Sequence, residues 1–345
     1  MSKSKRLDWL DVSKAFGVYL VILGHLVIFN YHTFRFIFAF HMPFFFLASG
    51  YVSGKKENFS KFIKKCCKYY LIPYAVILIL GFLQCLLLPL WGHNFSLFLR
   101  PDILEKSFYG GHPVYSFFGS AWFLLAMFWA QLIFYGMLRA AEKLKKYLVV
   151  LLWIVMVFLA VFSRDIFSFI PYFEKLPLKL DSALMGTVFL GIGYLLKRTK
   201  ILEKSKKYLA VIYLVSGAFC TWLFGCKWNY YVNLCDCDYA REYNYFIAAV
   251  AGSIMLFALG QLFYKSKLLQ YIGRNTLFIF LTHEFIYVTL IRFINRVFSV
   301  ELKAQGMPLN GWSIGISILT LVIGTLLCWG YKKVKKFFRK EKQFT

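Results

Sequence analysis

Residues 11–30 read DVSKAFGVYLVILGHLVIFN. A run of this length, about 20 residues at 1.5 Å each, is what crosses the roughly 30 Å of bilayer hydrocarbon. Three ionisable side chains interrupt it: Asp11, Lys14 and His25. They also separate it from a cleaved signal peptide, whose apolar region is uncharged and ends in small residues. The stretch is therefore expected to remain as the first membrane helix.

The three groups have a geometry of their own. Asp11 and Lys14 are three apart and share a helix face, which predicts an ion pair. His25 follows Lys14 by eleven residues. At 100° per residue that is three turns plus about 20°, so the imidazole lies about 16 Å further along the same face. An ionisable residue in a membrane helix is costly and marks function by default.

The rest of the chain has the same character. Of 345 residues 60% are hydrophobic and 17% charged, with 39 Phe, 23 Tyr and 9 Trp, more apolar surface than one water-soluble core can hide. This excludes a soluble enzyme, a disordered chain and a collagen-like repeat. The net charge of +25 is not that of a nucleic-acid binder, because the Lys and Arg sit between apolar runs rather than on one soluble motif.

Spanning runs are read near 12–30, 34–53, 70–91, 118–138, 147–163, 182–196, 208–225, 244–264, 276–298 and 312–331. This predicts an all-α polytopic integral membrane protein of about ten helices, one domain over 1–345, with a basic tail at 332–345 and no soluble domain. Alternate connections hold 29 of the 41 Lys and Arg, against 11 in the others and helix ends. The positive-inside rule then places both termini in the cytoplasm, in what would be a bacterial inner membrane.

Further polar groups enter the hydrocarbon elsewhere. The run HMPFFFLASGY over 41–51 puts His41 and Pro43 inside the second span, with the expectation that Pro43 bends it and that His41 reaches the depth of His25. His283 and Glu284 lie about two turns into the ninth span. Cys226, Cys235 and Cys237 surround one outer loop; they could form a disulfide, with unpaired packing the alternative. They lack neighbouring ligands at metal-binding spacing, and no resident metal is expected.

These motifs together resemble the membrane-bound acyltransferase 3 family. DVSK followed by ten residues and His25 resembles its R/K-X10-H signature, the run from Phe40 to Tyr51 its second helix, Ala121-Trp122-Phe123-Leu124 its WFL segment, and Ile272 to His283 its late helix. The resemblance implies a protein of about ten helices that moves an acyl group, commonly acetyl, from cytoplasmic acyl-CoA to a hydroxyl of an extracytoplasmic or lipid-linked saccharide. His25 matches the catalytic His and Lys14 the basic residue of the signature. Lys65 and Lys68 stand where the family has the two Arg of an RxxR motif. Acyl-CoA would be a co-substrate, with no permanently bound cofactor. No hydrolase-like domain accompanies the helices, so either they complete the transfer or a separate extracytoplasmic transferase does.

The residues ask for the same parts independently. A phosphate-bearing thioester donor wants cations at its entry, which Lys14, Lys65 and Lys68 supply. Acyl transfer wants a base for the incoming hydroxyl and donors for the developing oxyanion. His25 is the expected base and His41 the second candidate, with Asp11, Ser49, Tyr51, Trp122, His283 and Glu284 as lining groups. The competing reading is a transporter or flippase for a lipid-linked sugar or polysaccharide, which predicts an internal repeat relating two halves. No such repeat is found.

Overall fold

The computed structural model describes residues 6–28, 30–53, 58–87, 119–167, 176–202 and 207–341. Among these residues there is no strand, and nine helices are long and apolar enough to cross a membrane. The tenth run, 70–91, is seen as a helical path from Phe59: α4 (Phe59–Cys66), a π-helical stretch (Cys67–Leu71) and α5 (Ile72–Leu87). Lys65 and Lys68 thus sit on a helix rather than in the loop expected at 54–69, both exposed.

The first two spans depart most from expectation. The first helix, α1, runs Asp8–Leu26 rather than 12–30. It ends early because Met307 N–H, from the segment before the last helix, donates to the Leu26 carbonyl at 3.0 Å and satisfies it. The next helix then starts from its own cap, the Asn30 side chain accepting from Thr33 N–H at 3.2 Å. The second span is two pieces, α2 (Tyr31–Phe38) and α3 (His41–Val52). The break falls at Ala39 and Phe40, whose φ is −140°. Pro43 is therefore not mid-helix: it occupies the first turn of α3, where a missing N–H breaks no helical bond. Non-helical backbone inside a bilayer is tolerated where it is buried in protein or lines a cavity, and both breaks adjoin His25 and His41.

The remaining helices are α6 (Trp122–Lys143), α7 (Lys146–Phe167), α8 (Leu180–Thr199), α9 (Lys207–Thr221), α10 (Glu242–Leu262), α11 (Lys267–Arg274), α12 (Thr276–Phe298) and α13 (Gly311–Glu341). The expected tail is helical as far as Glu341, since α13 continues beyond its apolar part with Lys and Phe interleaved. Helix α1 is central, packing on α10, α11, α12, α13 and α3, while α3 packs on α8. Several of these contacts are made backbone to backbone. Gly50 of α3 lies against the Leu190 carbonyl and Gly193 of α8 against the Leu47 carbonyl, and a Cβ on either would overlap it. Small residues at such crossings let membrane helices associate without a hydrophobic driving force.

Gly273 makes another close approach, under the Asp11 carbonyl. Beside it Asp11, 3% exposed, is bridged by Arg6 at 2.8 Å, Lys14 at 2.9 Å and Arg274 at 3.1 Å. Arg274 also reaches Asp8 at 2.9 Å, and Lys332 of α13 bonds Asn275. The start of α1 and the far part of α13 therefore lie at one end, rich in Lys and Arg. Gly273→Ala should push α11 off α1 and cost roughly 1–3 kcal/mol, as overpacking does; a lower melting temperature in detergent checks it.

At the opposite end Cys226, Cys235 and Cys237 are all buried. Burial pushes the Cys237 thiol up to about 12, which keeps it protonated and inert at neutral pH.

Candidate active site

His25 occupies the last turn of α1, its side chain 22% exposed among buried neighbours. Two residues of α12 face it. The His283 ring centroid is 5.2 Å away, and Glu284 Oε1 is 4.0 Å from His25 Nε2. Both are buried, His283 completely.

Glu284 is held by a third element. Gly119 N–H donates to Oε2 and Ser120 N–H to Oε1, each at 3.0 Å. These amides open the 3-10 turn Gly119–Ala121 that leads into α6, and the first N–H groups of a helix have no partner within it. A carboxyl group from α12 thus caps the start of α6, where the helix dipole favours negative charge. This contact brings α1, α6 and α12 together at one point.

The imidazoles have defined proton positions. His283 Nδ1–H donates to the Phe280 carbonyl at 2.6 Å, so a neutral ring presents Nε2 as an acceptor. That Nε2 is buried and has no hydrogen-bond partner among the described residues. His41 Nδ1–H likewise donates to the Ile37 carbonyl at 2.9 Å, closing the break between α2 and α3, and the ring interacts electrostatically with His25. The bend expected at Pro43 lies instead at Phe40, just before His41.

The other expected residues divide. Trp122 follows the turn that caps Glu284 and is buried beside it in sequence. Tyr51 is instead edge-on to Trp9 at 5.2 Å, near the start of α1, and Ser49 accepts from Gln131 Nε2 at 2.7 Å on α6. These lie about 15 and 12 Å along α3 from His41. Lys14 and Asp11 form the expected ion pair, enlarged by Arg6 and Arg274. Because α1 is unbroken between them, Lys14 and His25 do share a face. Lys65 and Lys68 belong to the path from α4 into α5 that packs on α6.

Sequence reasoning missed Arg274, Gln131 and the two backbone donors to Glu284. Arg274 stands inside the stretch quoted for the late helix, and its signal was a cation at a helix break. Nothing in the side chains of Gly119 and Ser120 announces that their N–H groups hold a carboxyl.

Chemically, the centre combines a partly accessible imidazole, an acceptor with no partner among the described residues and an oriented carboxyl group in a largely buried setting. This suits proton transfer to and from a bound hydroxyl. His25, His283 and Glu284 each also offer one atom that could ligate a cation, all within 4.8 Å of one another, with both Glu284 oxygens already accepting from backbone N–H groups.

A polytopic helical bundle whose central helix stops at a buried His–His–Glu cluster is a membrane protein built around an intramembrane polar site. Residues 7–330 match the family model described as an acyltransferase domain. The chain belongs to the acyltransferase 3 family and is a membrane acyltransferase. No curated protein and no solved structure matches it.

Proposed function

We propose that this acyltransferase moves an acyl group, acetyl being the commonest for such chemistry, from acyl-CoA to a hydroxyl of an extracytoplasmic or lipid-linked saccharide. The observation that carries the reading is His25: the accessible member of a buried cluster, on the same helix face as a cation about 16 Å nearer the basic end. The basic end faces the cytoplasm in this account, by the positive-inside rule, and both termini lie there.

The acceptor hydroxyl gives its proton to His25 Nε2 as its oxygen attacks the thioester carbonyl. The carbon–sulfur bond then breaks, and the departing thiolate takes the proton from the imidazolium, leaving an ester and free CoA. His283 Nε2 receives a hydrogen bond from a neighbouring hydroxyl of the saccharide and so orients the acceptor. Glu284, whose Oε1 lies 4.0 Å from His25 Nε2, stabilises the imidazolium once the proton has reached that atom. His41 supports the centre by closing the break between α2 and α3. No step needs a metal or a bound cofactor.

The donor's phosphates need cations at the basic end, and Lys65 and Lys68 on an exposed helical face are suited to that. Charge-assisted contacts are worth about 1.5–3 kcal/mol when well formed, less on an exposed face. The Lys65→Ala, Lys68→Ala double variant should raise the acyl-CoA KM about tenfold while the protein still folds in the membrane. An unchanged KM would remove this face from the donor site. Arg at both positions should keep activity, because charge is what is invoked.

The test of the reading as a whole is acyl transfer from labelled acyl-CoA by purified protein in vesicles. Label on a saccharide ester is expected; saccharide movement with no acyl-CoA present would favour a flippase.

A further inference from the structure

A row of polar groups connects the basic end with the His25 cluster and has no part in the chemistry above. It begins in the π-helical stretch Cys67–Leu71, a local widening of the helix of a kind frequent at functional sites. There the Tyr70 hydroxyl bonds Ser49, which also accepts from Gln131 Nε2 at 2.7 Å. Gln131 is 8% exposed, a buried amide in the hydrocarbon zone.

One turn further on, Tyr74 occupies the same face as Tyr70. It is 7% exposed, and its hydroxyl has no hydrogen-bond partner among the described residues. An unsatisfied buried hydroxyl costs about 1–3 kcal/mol, and more in a membrane, where no water can compensate. Tyr74 packs in a cluster with Ala121 and Leu124, with Leu277 and Leu281 at its margin. Ala121 adjoins Ser120, which holds Glu284. Leu277, Leu281 and Glu284 are spaced i, i+4, i+7 and share one face of α12. Tyr74 therefore belongs to the shell just below Glu284, and Tyr70, Ser49 and Gln131 to the turn below that. Lys68 precedes Tyr70 by two residues.

We propose that Tyr70, Ser49, Gln131 and Tyr74 form the berth of the donor's pantetheine arm, with the Tyr74 hydroxyl donating to the thioester carbonyl. The arm carries amides between a phosphorylated end and a thioester, so inside a membrane it needs alternating donors and acceptors. The row supplies them in the order required: cations, then an amide and hydroxyls, then a lone donor beside the cluster that removes the proton. This rests on the acyl-CoA reading above.

Two probes separate the parts. Acetyl-CoA carries phosphates, arm and thioester, and adenosine 3′,5′-bisphosphate carries phosphates alone. Gln131→Leu and Tyr74→Phe should each weaken acetyl-CoA binding roughly three- to tenfold, the scale of one neutral hydrogen bond, and leave the bisphosphate unchanged. Tyr74→Phe removes a hydroxyl with no partner among the described residues, so the ligand-free protein should melt no lower than the wild type. Acetyl-CoA binding unchanged in both variants overturns the proposal. So does an equal loss for both probes, or a lower ligand-free melting temperature in Tyr74→Phe, since either would mark the row as packing. Wild-type protein that binds neither probe would instead bring down the acyl-CoA reading itself.

Discussion

His25→Gln protein should insert, fold and bind acyl-CoA yet lose acyl transfer by about a hundredfold or more, the scale of a lost general base. Gln keeps a polar group of similar size but cannot accept and return the proton. The substitution acts on a side chain that is 22% exposed at the end of α1, so packing should survive it. Parallel measurement of CoA binding and turnover checks this: binding near the wild-type value with turnover nearly gone is expected. His41→Gln should cost less in turnover and more in stability, because His41 Nδ1–H holds the Ile37 carbonyl at the helix break. Full activity in the His25→Gln protein would remove His25 from the chemistry.

Glu284→Gln should be the next most damaging change, lowering turnover about ten- to a hundredfold. Each carboxyl oxygen accepts one backbone N–H, from Gly119 and Ser120. Gln sets an NH2 against one of them, leaving two donors face to face in a buried site, where an unsatisfied donor costs about 1–3 kcal/mol. The start of α6 should shift and His25 should lose the negative charge that stabilises its imidazolium. Glu284 acts through His25, so the loss should fall on kcat with the acyl-CoA KM nearly unchanged, whereas the lysine variant moves KM. Conversely, a Glu284→Gln protein in which only KM rises would place this residue on the donor rather than on the base.

The spans were legible because bilayer thickness fixes their length, and only about 20 apolar residues at a time can meet it. Their internal breaks were not. Residues 27–30 are almost as apolar as those before them, so only a tertiary contact, Met307 to Leu26, shows that α1 has ended. Asn30 was a readable cap, but the apolar run around it masked the signal. Pro43 drew attention to the right helix and the wrong residue: a proline in a first turn starts a helix as readily as one in the middle bends it.

The site divided along similar lines. Lys14 and His25 could be placed on one face from spacing alone, because an unbroken helix converts residue number into angle. His283 and Glu284 could be named as polar intrusions, but their convergence on His25 depends on how α12 crosses α1. The capping of Glu284 by Gly119 and Ser120 is a backbone interaction between residues more than 160 positions apart, and no side-chain pattern encodes it. Tyr74 stood in an apolar run whose aromatic content gave no reason to single it out.

We propose that one intramembrane centre passes an acyl group from a donor at the basic end to an acceptor at the other. It is tested most directly in sealed vesicles carrying the purified protein in one known orientation, with labelled acyl-CoA supplied to one face and a saccharide acceptor to the other. Labelled ester should form on the acceptor when acyl-CoA meets the Lys-rich end, and none should form in the reverse arrangement or with His25→Gln protein. Ester formation independent of which face receives acyl-CoA, or undiminished without His25, would contradict it.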